Sequence, residues 1–410
     1  MKFASLSSRC PDPNLSATRR VDPFYGRLWV DTSGGIAASW RSRQSAEDEE
    51  LAGLGAMTAT ESRWSRDEAL ELVLGSNRRR HLAVLAAIMH WRTATAEQLA
   101  SIVGMRSLRG RVSPSLDLLW AAGLIQKGTL VSSHRLPSIY RPSRGRIPVE
   151  WLNHLTYEEW VGVTSGRATE WGSQYDRHNI LATELGLRIA EWHDVVAVFG
   201  EALGSTVTML GEDPTTSRSQ KMSDAVFVRP DGMIFAVEMT ATTADGFRSK
   251  TDSWAAVLAN DPNRRIAVVF VDIAQRGSAG TSKVLRKHVL RSATGSMDAQ
   301  LADVHERMFI TSWRSWFPSP GDASEQFLGL RAIRPTGATG DPDAESRWED
   351  VSLIDPFSLA PIDDAGVGRA LRRNVSAIWG APWWLRTEPP PDFDGILAER
   401  AWRTPQAPAA

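Results

Sequence analysis

The sequence predicts an α+β chain with two folded parts, the first made of short helices followed by two strands and the second an αβββαβ unit. Helically spaced apolar residues between 81 and 121 give way to β-branched runs near 125 and 139. Alternating strands at 222–228 and 233–240 flank the turn Pro230-Asp231-Gly232, and a continuous apolar run over 265–272 follows a helical stretch, as a fully buried strand does. The 410 residues, 42% hydrophobic and 23% charged, suffice for more than one core and exclude a collagen, a coiled coil or a wholly disordered chain.

Four segments are expected: a mostly disordered 1–65 with one docked strand near Phe24, a helical DNA-binding part over 66–148, an αβββαβ part over 149–317, and a Pro- and Trp-rich extension over 318–410. No apolar stretch approaches the length of a membrane span and no secretory leader is read, so the expected address is cytoplasmic with no membrane partner. The lone cysteine, Cys10, excludes a disulfide framework or a thiolate zinc cluster, which leaves oxygen and imidazole as metal ligands.

In the first part, Leu82, Leu85 and Met89 line one face of a helix over 81–91. Thr95 and Gln98 form a capping box that opens a second helix, closed by Gly104. Ser113-Pro114 opens a third, closed by Gly123. Two strands with a polar loop between them complete the order of a winged helix-turn-helix, whose third helix enters the major groove while the wing touches the backbone. Residues 78–150 hold twelve Arg or Lys against three acids, an electrostatic footprint suited to double-stranded DNA. The expected DNA face is Arg106, Arg109, Arg111, Ser113 and Ser115 around the third helix, with Lys127, His134 and Arg135 on the wing.

The second part opens with a helix over 175–193 that has His178-Asn179 in its opening turn and carries Glu184 among apolar residues. Asp224 stands on the first hairpin strand, and Glu238-Met239-Thr240 on the second, where Glu238 and Thr240 share a face because side chains alternate. This order resembles the PD-(D/E)XK nuclease superfamily, and the resemblance implies that Asp224 and Glu238 bind Mg²⁺, with Glu184 placed for a third carboxylate. The position of that family's lysine is taken by Thr240, and Lys250 on the next helix is the candidate to return an ammonium to the site. A helix over 282–291 presents Lys283, Arg286, Lys287 and Arg291 as a second basic face.

The whole of 78–275 resembles the replication-relaxation family of mobile-element proteins. That resemblance implies a DNA-binding accessory protein of plasmid or conjugative-element replication or mobilisation, with an inactive or rearranged nuclease-like domain and a relaxase or replication protein as partner through the C-terminal extension. Two alternatives stay open: an Mg²⁺-dependent endonuclease using Asp224, Glu238 and Lys250, and a winged-helix transcriptional regulator whose second domain dimerises.

Overall fold

The computed structural model describes residues 13–26, 38–110, 113–130, 138–143, 151, 154–164, 176–193, 195, 197–206, 209, 221–229, 233–241, 246–261, 266–274, 278–337 and 344–354. Arg111, His134, Arg135 and the extension beyond 354 lie outside them. The fold is mixed α and β with two sheets.

The first sheet has four strands in the order β1-β3-β4-β2, with β1 at Ala38–Arg41, β2 at Ala94–Thr95, β3 at Ile125–Leu130 and β4 at Ile139–Pro142, all antiparallel. Around it lie α1 (Arg43–Leu51), α2 (Arg66–Leu74), α3 (Arg78–Trp91), α4 (Ala96–Val103) and α5 (Pro114–Ala121). The expected caps form: Thr95 accepts from the Gln98 amide while Gln98 reaches back, Gly104 and Gly123 take positive φ, and Pro114 opens α5.

The second sheet runs β11-β10-β9-β8-β7-β6-β5. After α6 (Tyr157–Thr164) come α7 (Asp176–Trp192), β5 (Ala197–Gly200), β6 (Ala225–Val228), β7 (Ile234–Thr240), α8 (Gly246–Ala259) and β8 (Ile266–Asp272). This is the expected αβββαβ order, with β5, β6 and β7 antiparallel and β8 parallel to β7. The helix α9 (Ser278–Thr294) and α10 (Met297–Leu301) lead to β9 (Met308–Ser312), again parallel. Beyond α11 (Trp313–Trp316) and α12 (Glu325–Leu328), β10 (Arg331–Pro335) and β11 (Trp348–Ser352) extend the sheet antiparallel. The alternation of β6 and β7 sends Phe227, Phe235 and Val237 toward α7, and Val226, Ala236 and Ile234 toward α8 and α9.

Residues 13–26 and 38–65 depart from the expected disorder. Within 13–26, Leu15 and Phe24 are 2% exposed, and Phe24 stacks on Trp313 at 5.7 Å. Arg20 and Asp22 are also buried, because each charge meets an opposite one on α7, so a polar, core-poor composition docks through ion pairs. The acidic run near 47–50 closes α1, which opens on a Ser42–Ser45 capping box. Part of the expected C-terminal extension, up to 354, likewise supplies α12, β10 and β11.

The expected boundary near 148 is not a break in packing. Trp91, at the end of α3, lies against Gly186 of α7 and Gly200 of β5, and one apolar cluster runs from Leu82 to Phe309. Glycine is needed at both positions, since a Cβ would come within 2.7 Å of the Trp91 ring.

Candidate carboxylate and lysine site

The site forms at the rim of the second sheet where β6 begins and β7 ends. Extending the register Ala225↔Val237 by one places Asp224 opposite Glu238, and both alternate onto the face covered by α8. Asp224 is held from behind by the backbone: its N–H donates to Val237 O at 2.9 Å, and its Oδ2 accepts from Met239 N at 2.6 Å. Glu238 is fully buried, and its Oε1 accepts from Trp254 Nε1 at 2.6 Å. Lys250, one turn before Trp254 on the same face of α8, brings its Nζ onto Glu238 Oε2. His178, from the first turn of α7, places Nδ1 3.7 Å from Asp224 Oδ1.

The two carboxyls part in acidity. Burial pushes Asp224 up, but the Lys250 ammonium, followed by His178 and the Met239 amide, outweighs it and leaves the carboxyl below the usual carboxylate range. Burial also pushes Glu238 up, and there the nearby Asp224 charge adds to it, so that the carboxyl stays above that range despite Lys250. The side chains of His178, Asp224 and Lys250 are 22%, 14% and 31% exposed while that of Glu238 is sealed, so the site opens to solvent on one side only.

The donor set suits a hard cation. Two carboxylates sit on adjacent strands, and Thr240, two residues beyond Glu238 on the same strand face, buries a hydroxyl with no hydrogen-bond partner among the described residues. Mg²⁺ is commonly held by one or two carboxylates with water and substrate phosphate completing its shell. No group of three His, Cys, Asp or Glu side chains placed to hold a metal occurs among the described residues.

Glu184 is not part of this site. It is fully buried between Arg20, at 3.1 Å, and Arg188, at 3.0 Å, with Gln98 Nε2 at 3.3 Å. Its place is explained by the N-terminal segment, which brings Arg20 to a carboxylate that its own helix pairs only with Arg188, four residues on.

The expected DNA face is also redistributed. Ser113 and Ser115 are 4% and 5% exposed, so neither reaches a groove. The reason is α2, opened by a Ser65–Glu68 capping box, which lies over α5 while Trp120 of α5 donates to Arg41 O; among the α5 residues only Pro114 is exposed. Arg109 donates to Asn14 O, to Arg19 O at 2.6 Å and to Glu97 at 3.2 Å, so the N-terminal segment holds it. Lys127 lies inside the sheet between Arg41 and Tyr140 rather than on a wing tip. Arg106 is exposed, as are Arg79 and Arg80. Much of the basic surplus is structural: Arg78 pairs with Glu159, and Arg141 lies 3.9 Å over the Trp40 ring beside Asp176.

Two residues of the site escaped the sequence reading of roles. Trp254 reads only as a core position, although its i, i+4 relation to Lys250 is the available signal. His178 reads as the opening of a helix. No protein-family model, no curated protein and no solved structure matches the chain. No helix among the described residues is long and apolar enough to cross a membrane.

Proposed function

We propose that the chain is a DNA-processing protein of a mobile genetic element, with a divalent-metal-dependent phosphodiesterase centre at Asp224, Glu238 and Lys250. The observation that carries the reading is the Lys250 ammonium on Glu238, beside Asp224, at an open sheet rim. It supplies from α8 the cation that Thr240 lacks. The mobile-element context rests on the sequence resemblance, and the αβββαβ order supports a PD-(D/E)XK-like domain.

Asp224 and Glu238 would hold the ion, and Mg²⁺ would supply positive charge against the phosphate oxygens. Trp254 fixes the orientation of Glu238 through its indole N–H. Lys250 would donate to the attacking water and offset charge on the phosphate as it builds up. Lys250, followed by His178, keeps Asp224 ionised, and the sealed side of Glu238 excludes bulk water behind the reacting centre.

The test is nicking of supercoiled duplex DNA by the purified chain in Mg²⁺ or Mn²⁺. Asp224→Asn, Glu238→Gln and Lys250→Met are each expected to lower the rate by roughly 100-fold or more. An inert wild-type chain, or Lys250→Met nicking at the wild-type rate, would overturn the assignment. The accessory-factor reading, in which the core only binds DNA, is favoured by exposed Arg79, Arg80 and Arg106 and predicts binding without nicking. The burial of α5 counts against the transcriptional-regulator reading, which needs that helix in a major groove.

A further inference from the structure

The parallel strands β7, β8 and β9 fix where their crossover helices begin. Glu238 and Thr240 close β7 at the rim, and Asp272 closes β8 at the same level, in register with Thr240. α8 and α9 therefore both start at the rim and run back from it side by side. Phe247 at the start of α8 meets Phe270, the register neighbour of Glu238, at 5.9 Å, and meets His288 of α9 at 5.8 Å. The middle of α9 is thus one aromatic layer from the carboxylates.

On α9, Lys283, Lys287 and Arg291 are exposed and four residues apart, so they form one stripe. At 1.5 Å per residue the stripe places a cation about every 6 Å over about 12 Å. A cleft between α8 and α9 is lined by Arg291 on α9 and, on α8, by half-exposed Arg248, which lies 3.6 Å from Asp252. The imidazole of His288 registers a net positive field: burial lowers its pKa, and Arg248, Lys287 and Arg291 together outweigh the opposing Asp252 charge and lower it further. Asp298 and Asp303 line the far end of the cleft, so the positive stripe is bounded there and leads toward the rim.

We propose that Lys283, Lys287 and Arg291, with Arg248, form a phosphate track that lays one strand of duplex DNA along α9 toward Glu238 and Asp224. Successive phosphates of a strand advance 3.4 Å along the duplex axis, so the stripe spans about three or four of them. The proposal rests on the phosphodiesterase reading for its direction, and it replaces the buried α5 as the principal DNA-contacting element.

The experiment is fluorescence anisotropy of a labelled duplex with the full chain in EDTA, across a salt series. The variant Lys283→Gln/Lys287→Gln/Arg291→Gln is expected to bind at least tenfold more weakly at low salt. Its plot of log affinity against log salt should be shallower by roughly 2.7, at 0.9 per phosphate contact. The charge-keeping variant Lys283→Arg/Lys287→Arg/Arg291→Lys should retain the wild-type slope, which separates lost charge from lost folding. Wild-type slope and affinity in the Gln variant would overturn the track, as would a wild-type chain that binds no duplex. Hydrolysis of bis(p-nitrophenyl) phosphate by the wild-type chain, a substrate too small to need the track, reads the centre independently. Hydrolysis without duplex binding sinks the track alone, and slope-dependent binding without hydrolysis sinks the phosphodiesterase reading alone.

Discussion

His193, just after α7, packs edge-on against Phe327 with ring centroids 4.9 Å apart, and burial brings its pKa down to about 4. The unfolded chain protonates the same ring near 6.5. Stability from keeping it neutral is therefore complete above pH 6.5 and is lost as pH falls toward 4, by up to about 3 kcal/mol. Glu184 acts in a lower window. Burial alone would raise its carboxyl, but Arg20 and Arg188 take it to about 2, so its contribution is present above its unfolded value near 4.5 and is lost below it. Glu191, raised by burial, opposes part of that loss because its folded carboxyl holds a proton more tightly. Melting temperature should thus start to fall at pH 6.5, before the Glu184 contribution is lost. A His193→Gln variant should show a flatter profile between 6.5 and 4; an unchanged slope there would show that another group drives the acid loss.

At the scale of elements, the seam between α3 and the second sheet is a ring packed against two backbones. Ala is a better helix former than Gly by about 1 kcal/mol, so propensity alone would make Gly186→Ala stabilising. A Cβ at Gly186, however, would stand 2.7 Å from Trp91 and 2.9 Å from Val198, and at Gly200 it would stand 2.8 Å from His90 O. Overpacking at a rigid indole costs about 1–3 kcal/mol, so sterics outweigh propensity, and both Ala variants should unfold at lower denaturant. Gly200→Ala should lose more, because its neighbour is backbone and has nowhere to move. Equal or higher midpoints by urea titration would mean that Trp91 can rotate away. The αβββαβ elements were legible in the sequence because alternation and helical spacing are local patterns, and they place Asp224 and Glu238 on one sheet face. Lys250 was legible only as a candidate by resemblance, since no period links a strand to the helix that packs over it. The helix α2 was not legible, because its burial of only Ala69 and Val73 makes a weak apolar stripe that needs α5 before it makes sense. Without α2 over them, Ser113 and Ser115 fall on the expected DNA face.

At the scale of the whole molecule, composition and structure disagree about residues 13–26, and the disagreement sets the last prediction. Composition treats the segment as a polar tail whose removal changes little. In the structure Arg20 bridges Glu184 and Glu191, Asp22 pairs with Arg188, and the Ala17 amide donates to Glu191 at 3.0 Å. Leu15 and Phe24 join the apolar cluster that also holds residues of α3, α7 and β9. Deleting residues 1–26 would leave Glu191 without a guanidinium and Glu184 with Arg188 alone, and breaking a buried ion pair costs about 3–5 kcal/mol. Uncovering the Leu15 and Phe24 sites adds about 2 kcal/mol for each apolar side chain. Against a typical total of about 5–15 kcal/mol, that is a large share. The loss should be global rather than local, because the cluster that Leu15 and Phe24 join spans both sheets, covering the face of the second sheet opposite the separate cluster under α8 and α9. The truncated chain is expected to unfold in one transition at markedly lower temperature, with near-UV circular dichroism and tryptophan fluorescence changing together. It should also expose Ser101 and free Arg109 from two backbone carbonyls, so chymotryptic cleavage should appear in α4. A truncated chain within about 1 kcal/mol of wild type, or one losing the first sheet in a separate earlier transition, would show that the ion network merely lies on a core that is stable without it.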